Sequence, residues 1–321
     1  MFRLESVSLR GNGRWRLHQV TQVFPPSPTA VIGYSGAGKS SLLNLLVGYE
    51  QPDRGHIQRP GVGAGSASRL PFFWVPQTGG LWPHLTVRQH VLSVQPKAGS
   101  PEAAKIRFSA DEILEQFALS HLSDARPGEL SLGESSRLAT ARGLAAAPAW
   151  LIMDEPLSHV DPVRKPAFWS AIGALALAAG ISLIFSCHEP EVVLRQASLA
   201  VCLQQGEVIY SGAVRDLYDH PSTAELGRFL GPLNWWSAAE AAILQNNSAR
   251  LPGNTCIRPH RVRLQAEAGS GLRLVATQHC GLYHETRLQR DSGPVLSVVH
   301  QHSAACLQPG TGVAIHIEGD A

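Results

Sequence analysis

The chain has 321 residues, more than the roughly 100 to 200 of one ordinary domain, so a large domain with a smaller companion is the starting expectation. Hydrophobic residues make up 44% and charged residues 16%, which excludes a chain too polar to bury a core. With 27 basic residues against 25 acidic, the net charge of +2 argues against nucleic acid as a partner.

From the N-terminus, MFRLESVSLRGNGRW alternates apolar and polar residues and carries charge too early for the apolar stretch of a signal peptide, so it reads as a first strand. Apolar runs at 29–32, 72–75, 150–153 and 181–185 are separated by longer helix-like segments, the pattern of a mainly parallel sheet wrapped by helices. Residues 61–69 (GVGAGSASR) resemble a flexible loop, and residues 100–123 an inserted amphipathic helical segment. The stretch 167–187 has no charge and is about as long as a bilayer span. Gly180, however, divides it into an Ala/Leu-rich helical half and the β-branched ISLIF half, which predicts helix, turn and buried strand. The five cysteines, Cys187, Cys202, Cys256, Cys280 and Cys306, are widely spaced without a CxxC pair and read as reduced thiols.

The sharpest motif follows the run at 29–32. Gly33-Tyr34-Ser35-Gly36-Ala37-Gly38-Lys39-Ser40 matches GxxxxGK[ST] between a strand and the helix SSLLNLLVG, the context in which such a loop cradles phosphate. Glycines let successive N–H groups point at phosphate oxygens, and the helix start that includes Ser41 adds partial positive charge. Lys39 suits the β- and γ-phosphates of ATP and Ser40 a Mg2+ ion. With four lysines against twenty-three arginines in the chain, a chance cation here would more often be arginine.

Trp150 to Glu155 (WLIMDE) is an apolar strand ending in two acids at the carboxyl edge of a parallel sheet. Asp154 suits Mg2+ and Glu155 the polarising of an attacking water.

Leu130-Ser131-Leu132-Gly133-Glu134 resembles the LSGGQ signature of ABC ATPases, Ser158-His159-Val160-Asp161 their D-loop, His188 their switch histidine and Gln77 their Q-loop glutamine. LWPHLTVRQHV after Gln77 is similar to LFPHLTVxxNV of importer ATPases. The resemblance covers about residues 2–232 and implies an α/β P-loop NTPase fold of the ABC type, with a helical subdomain at about 78–145. It implies ATP hydrolysis with Mg2+ held by Ser40, Gln77 and Asp154. Glu155, His188, Lys39 and Gln77 would be catalytic, and residues 33–41 would bind nucleotide. A second copy of the chain would close head to tail, applying Ser131, Leu132, Gly133 and Glu134 to the ATP of its partner, beside the D-loop residues Ser158 and Asp161. Two signature positions depart from the pattern. A leucine cannot mimic a glycine of positive φ without strain, so Leu132 predicts weakened ATP-driven closure, and Leu132→Gly should raise turnover. Trp15 is the candidate to stack on adenine, although its offset from Gly33 is short.

After the turn at Gly231-Pro232-Leu233-Asn234, short alternating runs such as CIRPHRVRL, LRLVATQHC, VLSVVHQ and VAIHIEG suggest a small β-barrel, residues 255–321, behind a linker at 233–254. IRPHRVRL, the Gly281-Leu282-Tyr283 turn and LQPGTGV resemble the TOBE, OB-like domain of importer ATPases; Gly206 to Gly212 and DLYDHP also fit the importer pattern. His279, Cys280, His284, His300 and His302 admit a metal sensor, but alternating residues merely share a strand face, and a solvated histidine face is the favoured reading.

The resemblance thus implies an importer ATPase at the cytoplasmic face of the inner membrane. It would be peripheral, engaging integral-membrane permease subunits and, indirectly, an extracytoplasmic solute-binding protein. An exporter ATPase normally lacks the barrel; a soluble, non-transport ABC protein would usually show two cassettes and a basic tract. The solute is chosen by partners, and the pattern admits inorganic ions first, then small metabolites.

Overall fold

The computed structural model describes residues 1–11, 13–61, 70–96, 108–245, 251–301 and 307–318. Most of the glycine-rich 61–69 stretch, the first part of the 100–123 segment, His302 and Cys306 lie outside the described residues. Two compact units emerge, Met1–Val214 and Arg215–Ala321.

In the first unit, β1 (Phe2–Gly11) pairs antiparallel with β2 (Arg14–Phe24) and with β4 (Arg54–Gln58). A six-stranded sheet holds β3 (Thr29–Ile32), β5 (Phe72–Val75), β6 (Trp150–Met153), β7 (Ser182–Ser186), β8 (Leu199–Gln204) and β9 (Glu207–Ala213) in the order β5-β6-β7-β3-β8-β9. All pairings are parallel except β8 with β9. The apolar runs read from the sequence become strands because a parallel strand covered on both faces needs no polar alternation; β3 and β6 are buried along their whole length.

Several helices start where side chains satisfy their free amides. Ser109 and Thr86 cap α3 (Ala110–Gln116) and α2 (Val87–Leu92) through reciprocal boxes with Glu112 and Gln89. The uncharged stretch resolves into α5 (Lys165–Ala179), closed by Gly180 at φ 60°, and then β7. Among the described residues no helix is long and apolar enough to cross a membrane.

In the second unit, β10 (Val262–Ala266) pairs with β14 (Val313–Ile317), and β12 (His284–Arg290) lies between β11 (Leu272–His279) and β13 (Val295–His300). Their inward residues, Val262, Leu272, Leu274, Leu288, Val298 and Val313, share a core with Trp236 and Leu244 of the segment before them. Arg258 explains why this unit reaches back to residue 215, well before the turn at 231–234. Its guanidinium donates to the carbonyls of Tyr218, Gly227, Gly231 and Pro232 and lies 4.0 Å over the Tyr218 ring.

The histidine face is only partly wet. His300 is fully buried, with Nε2 2.8 Å from Thr286 Oγ1, while His279, His284 and His300 sit directly across from one another with ring centroids 4.9 and 5.5 Å apart. The expectation of a solvated face therefore fails at His300, which packs against the central strand of its sheet.

Candidate functional site

The parallel strands β5, β6, β7 and β3 end side by side, and the chain leaving each one carries a predicted site residue: Gln77 after β5, Asp154 and Glu155 after β6, His188 after β7, Gly33 to Ser40 after β3. Topology alone therefore gathers side chains more than a hundred residues apart at one carboxyl edge.

The loop after β3 turns into α1 (Lys39–Val47) through left-handed glycines, Gly36 at φ 78° and Gly38 at φ 106°. Gly38 is required twice over, because a Cβ there would also lie 2.7 Å from the Arg16 carbonyl oxygen. Lys39 is buried, its Nζ donating to the carbonyls of Gly33 at 2.9 Å and Tyr34 at 3.3 Å, so the ammonium lies over the loop it follows. Ser40 is exposed beside it.

Across the sheet, Asp154 is buried and Glu155 half-buried. Ser186, the last residue of β7, donates its hydroxyl to Asp154 Oδ1 at 2.6 Å and accepts the Glu155 amide at 2.7 Å. Glu155 has φ 46°, a left-handed turn that carries its side chain out of the strand direction. Two flanking groups meet its carboxylate: Gln77 Nε2 donates to Oε2 at 3.3 Å, and His188 Nδ1 lies 3.6 Å from Oε1. Sequence reasoning missed Ser186, although a polar residue closing an otherwise apolar strand was the available signal.

Ser131, Leu132, Gly133 and Glu134 form the start of α4 (Leu132–Ala145). Ser131 is its N-cap, accepting from the Glu134 amide at 3.3 Å, while Glu134 Oε2 takes the Ser131 amide at 2.8 Å and hydroxyl at 2.7 Å. Those hydrogen bonds, side chain first, hold the Glu134 carboxyl below its ordinary range. Leu132 is therefore the first residue of a right-handed helix, 69% exposed and not among the residues of positive φ, so the expected strain is absent. Ser131-x-x-Glu134 is itself a readable capping box that announces the helix. Gly133 fits the D-loop closely, since a Cβ there would lie 2.9 Å from the His159 carbonyl oxygen. Asp161 Oδ1 accepts the Val163 amide at 2.8 Å, and the Ser158 amide donates to the Glu155 carbonyl at 3.3 Å.

Two side chains of α4 tie these parts together. Ser136 Oγ accepts the amide of Leu157, itself left-handed at φ 63°, and Arg142 donates to the carbonyls of Gly79 and Gly80, just past Gln77. At residues 15–17 a register shift interrupts the pairing of β2 with β1, and there Arg16 reaches Ser41 of α1 while the Leu17 side chain borders Gly38. Trp15, the adenine-stacking candidate, lies at the same irregularity. Its ring is engaged by Arg10 at 4.4 Å and Arg54 at 5.6 Å.

A glycine-built anion cradle after β3, with acids after β6 two strands away on the same sheet edge, defines a P-loop nucleoside triphosphatase. The ABC transporter family model matches residues 20–158. The ferric-ion import ATP-binding protein FbpC of Pseudomonas fluorescens is 32% identical over 262 residues, covering 76% of this chain and 73% of that one. The sulfate/thiosulfate import ATP-binding protein CysA of Gloeobacter violaceus is 30% identical, covering 86% and 81%. The spermidine/putrescine import ATP-binding protein PotA 1 of Pseudomonas aeruginosa is 31% identical, covering 81% and 76%. The chain belongs to the ABC transporter family, among its import ATPase subunits. Among solved structures, the ATP-binding cassette MJ0796 in a dimeric post-hydrolysis state bound to ADP and Pi has the same fold. Its TM-score is 0.57 at 22% identity, over 67% of this chain and 99% of that one.

Proposed function

We propose that this chain energises solute uptake by hydrolysing MgATP at the edge formed by β3, β5, β6 and β7, working as a homodimer beneath membrane permease subunits. The convergence of Gln77 and His188 on the Glu155 carboxylate, next to the loop that carries Lys39, is the observation that supports it most.

Residues 33–41 bind the triphosphate, with Lys39 exchanging the Gly33 and Tyr34 carbonyls for phosphate oxygens. Ser40, Gln77 and Asp154 offer oxygen donors only, a set that fits Mg2+, and Ser186 holds one Asp154 oxygen so that the carboxylate cannot rotate. Magnesium, when bound, supplies neutralisation of phosphate charge. Glu155 orients the attacking water, His188 contacts the γ-phosphate, and Gln77 joins both to the segment held by Arg142. In the dimer Ser131, Leu132, Gly133 and Glu134 face the partner's nucleotide, flanked by Ser158 and Asp161.

The ATPase domain lies within residues 1–214, with its helical subdomain at about 78–145, and the TOBE-like regulatory domain at 255–321 belongs to the unit that starts at Arg215. The protein sits peripherally at the cytoplasmic face of the inner membrane and receives solute indirectly from a binding protein. Its substrate is an inorganic ion or a small metabolite, in keeping with relatives named for ferric ion, sulfate and polyamines. Co-purification with a polytopic permease, followed by solute uptake into vesicles driven by internal ATP, tests this function; ATP-driven efflux of the solute would reverse it.

A further inference from the structure

Arg16 of β2 is built into the phosphate loop from outside it. Its Nε and Nη2 donate to Ser41 Oγ at 3.0 and 2.8 Å, and its Nη1 and Nη2 donate to the Glu50 carboxylate at 2.8 and 2.7 Å. Gly11 makes room for the stem, because a Cβ there would collide with Arg16 Cδ. Glu50 is fixed in turn by Asn44 Nδ2 at 3.0 Å. The guanidinium fork is therefore held beside the first turn of α1 while remaining 35% exposed.

That position has a chemical meaning. Helical hydrogen bonding in α1 begins with the Leu42 amide donating to Gly38, which leaves the amides of Lys39, Ser40 and Ser41 to anions. The triphosphate has a direction on this sheet. Its γ end belongs with Asp154 and Glu155 on β6, on the β7 side of β3, so its α end lies toward β8, β9 and β2 on the other side. The His18 amide of β2 donates to the Gly206 carbonyl between β8 and β9, which confirms that β2 borders that side. A guanidinium fork fits a phosphate as well as a carboxylate.

Resting on the reading that residues 33–41 cradle ATP, we propose that Arg16 is a nucleotide-binding residue that takes the α-phosphate, sharing or exchanging its fork with Glu50. The nucleotide is then gripped by charge at the end nearer the nucleoside.

Equilibrium binding of ATP and of ADP to the full chain tests this. Arg16→Met raises Kd for both by about tenfold, because both carry an α-phosphate. Glu50→Gln frees the fork and lowers both Kd values, whereas a merely structural pair would make both variants bind more weakly. Arg16→Lys keeps the charge and recovers part of the loss, which also serves should the methionine variant fold poorly. Unchanged Kd values in Arg16→Met, a loss confined to ATP, or weaker binding in Glu50→Gln overturns the assignment. Lys39→Ala measured alongside separates the two levels: if it binds ATP like wild type, the cradle itself is misread, and if it alone loses affinity, only the role of Arg16 falls.

Discussion

Ser186 and Asp154 are joined across β7 and β6 by a hydroxyl-to-carboxylate hydrogen bond of 2.6 Å, and the same hydroxyl receives the Glu155 amide at 2.7 Å. One buried side chain thus sets the rotation of one acid and the backbone turn of the next. Ser186→Ala leaves both groups unsatisfied, which costs about 1–3 kcal/mol of stability and lowers kcat by about tenfold. Urea denaturation and phosphate release measure the two effects; a variant with wild-type values of both would show that the hydroxyl is incidental.

Glu155→Gln keeps the shape of the side chain and its contact with Gln77 while removing the charge that orients water. It binds ATP, dimerises and hydrolyses at most about one hundredth as fast as wild type. Light scattering in saturating MgATP checks the dimer, and a monomer there would count against the proposed closure.

Much of this site was legible because the residues that carry it follow buried strands. Runs at 29–32, 72–75 and 150–153 became β3, β5 and β6 at those same residues, since a strand packed on both faces is a continuous apolar word. What was misread depends on direction, which a linear motif does not encode. Arg16 belongs to no motif, and only the fold brings it to Ser41 and Glu50. Leu132 was judged against a glycine it does not imitate: Ser131 and Glu134 wind the segment into a helix where a leucine is at ease. The extent of the second unit depends on Arg258, whose four carbonyl partners are distant in sequence.

Leu132→Gly therefore releases no strain. It destabilises the chain by about 0.5–1 kcal/mol, the ordinary penalty of glycine in a helix, instead of stabilising it. Chemical denaturation decides this, and a gain in stability would restore the strained-leucine view.

Arg258→Ala withdraws donors from four carbonyls in a buried setting and costs about 3 kcal/mol or more within the second unit. Hydrogen exchange in residues 215–232 rises as a result, while Kd for ATP stays unchanged. Unaltered exchange in that segment would show the clamp to be dispensable.

Glu134 makes the start of α4 sensitive to acid. Its carboxyl is held below the ordinary 4.5 by Ser131, so the stabilisation it provides is complete above that value and is lost as pH falls through the depressed folded value. Glu134→Gln keeps a capping acceptor without the titration, and its urea midpoint falls less steeply with acid than that of wild type. Parallel pH profiles for the two proteins would disprove the link.

β3 is hydrogen-bonded on both sides, by β7 and β8, and every one of its four residues is buried. The loop that grips phosphate therefore grows from a strand held on both sides, whereas Gln77 departs from an edge strand and the segment beyond it is borne by α4. Fuel is received by a fixed socket, and whatever stroke the engine makes must be delivered by its rim.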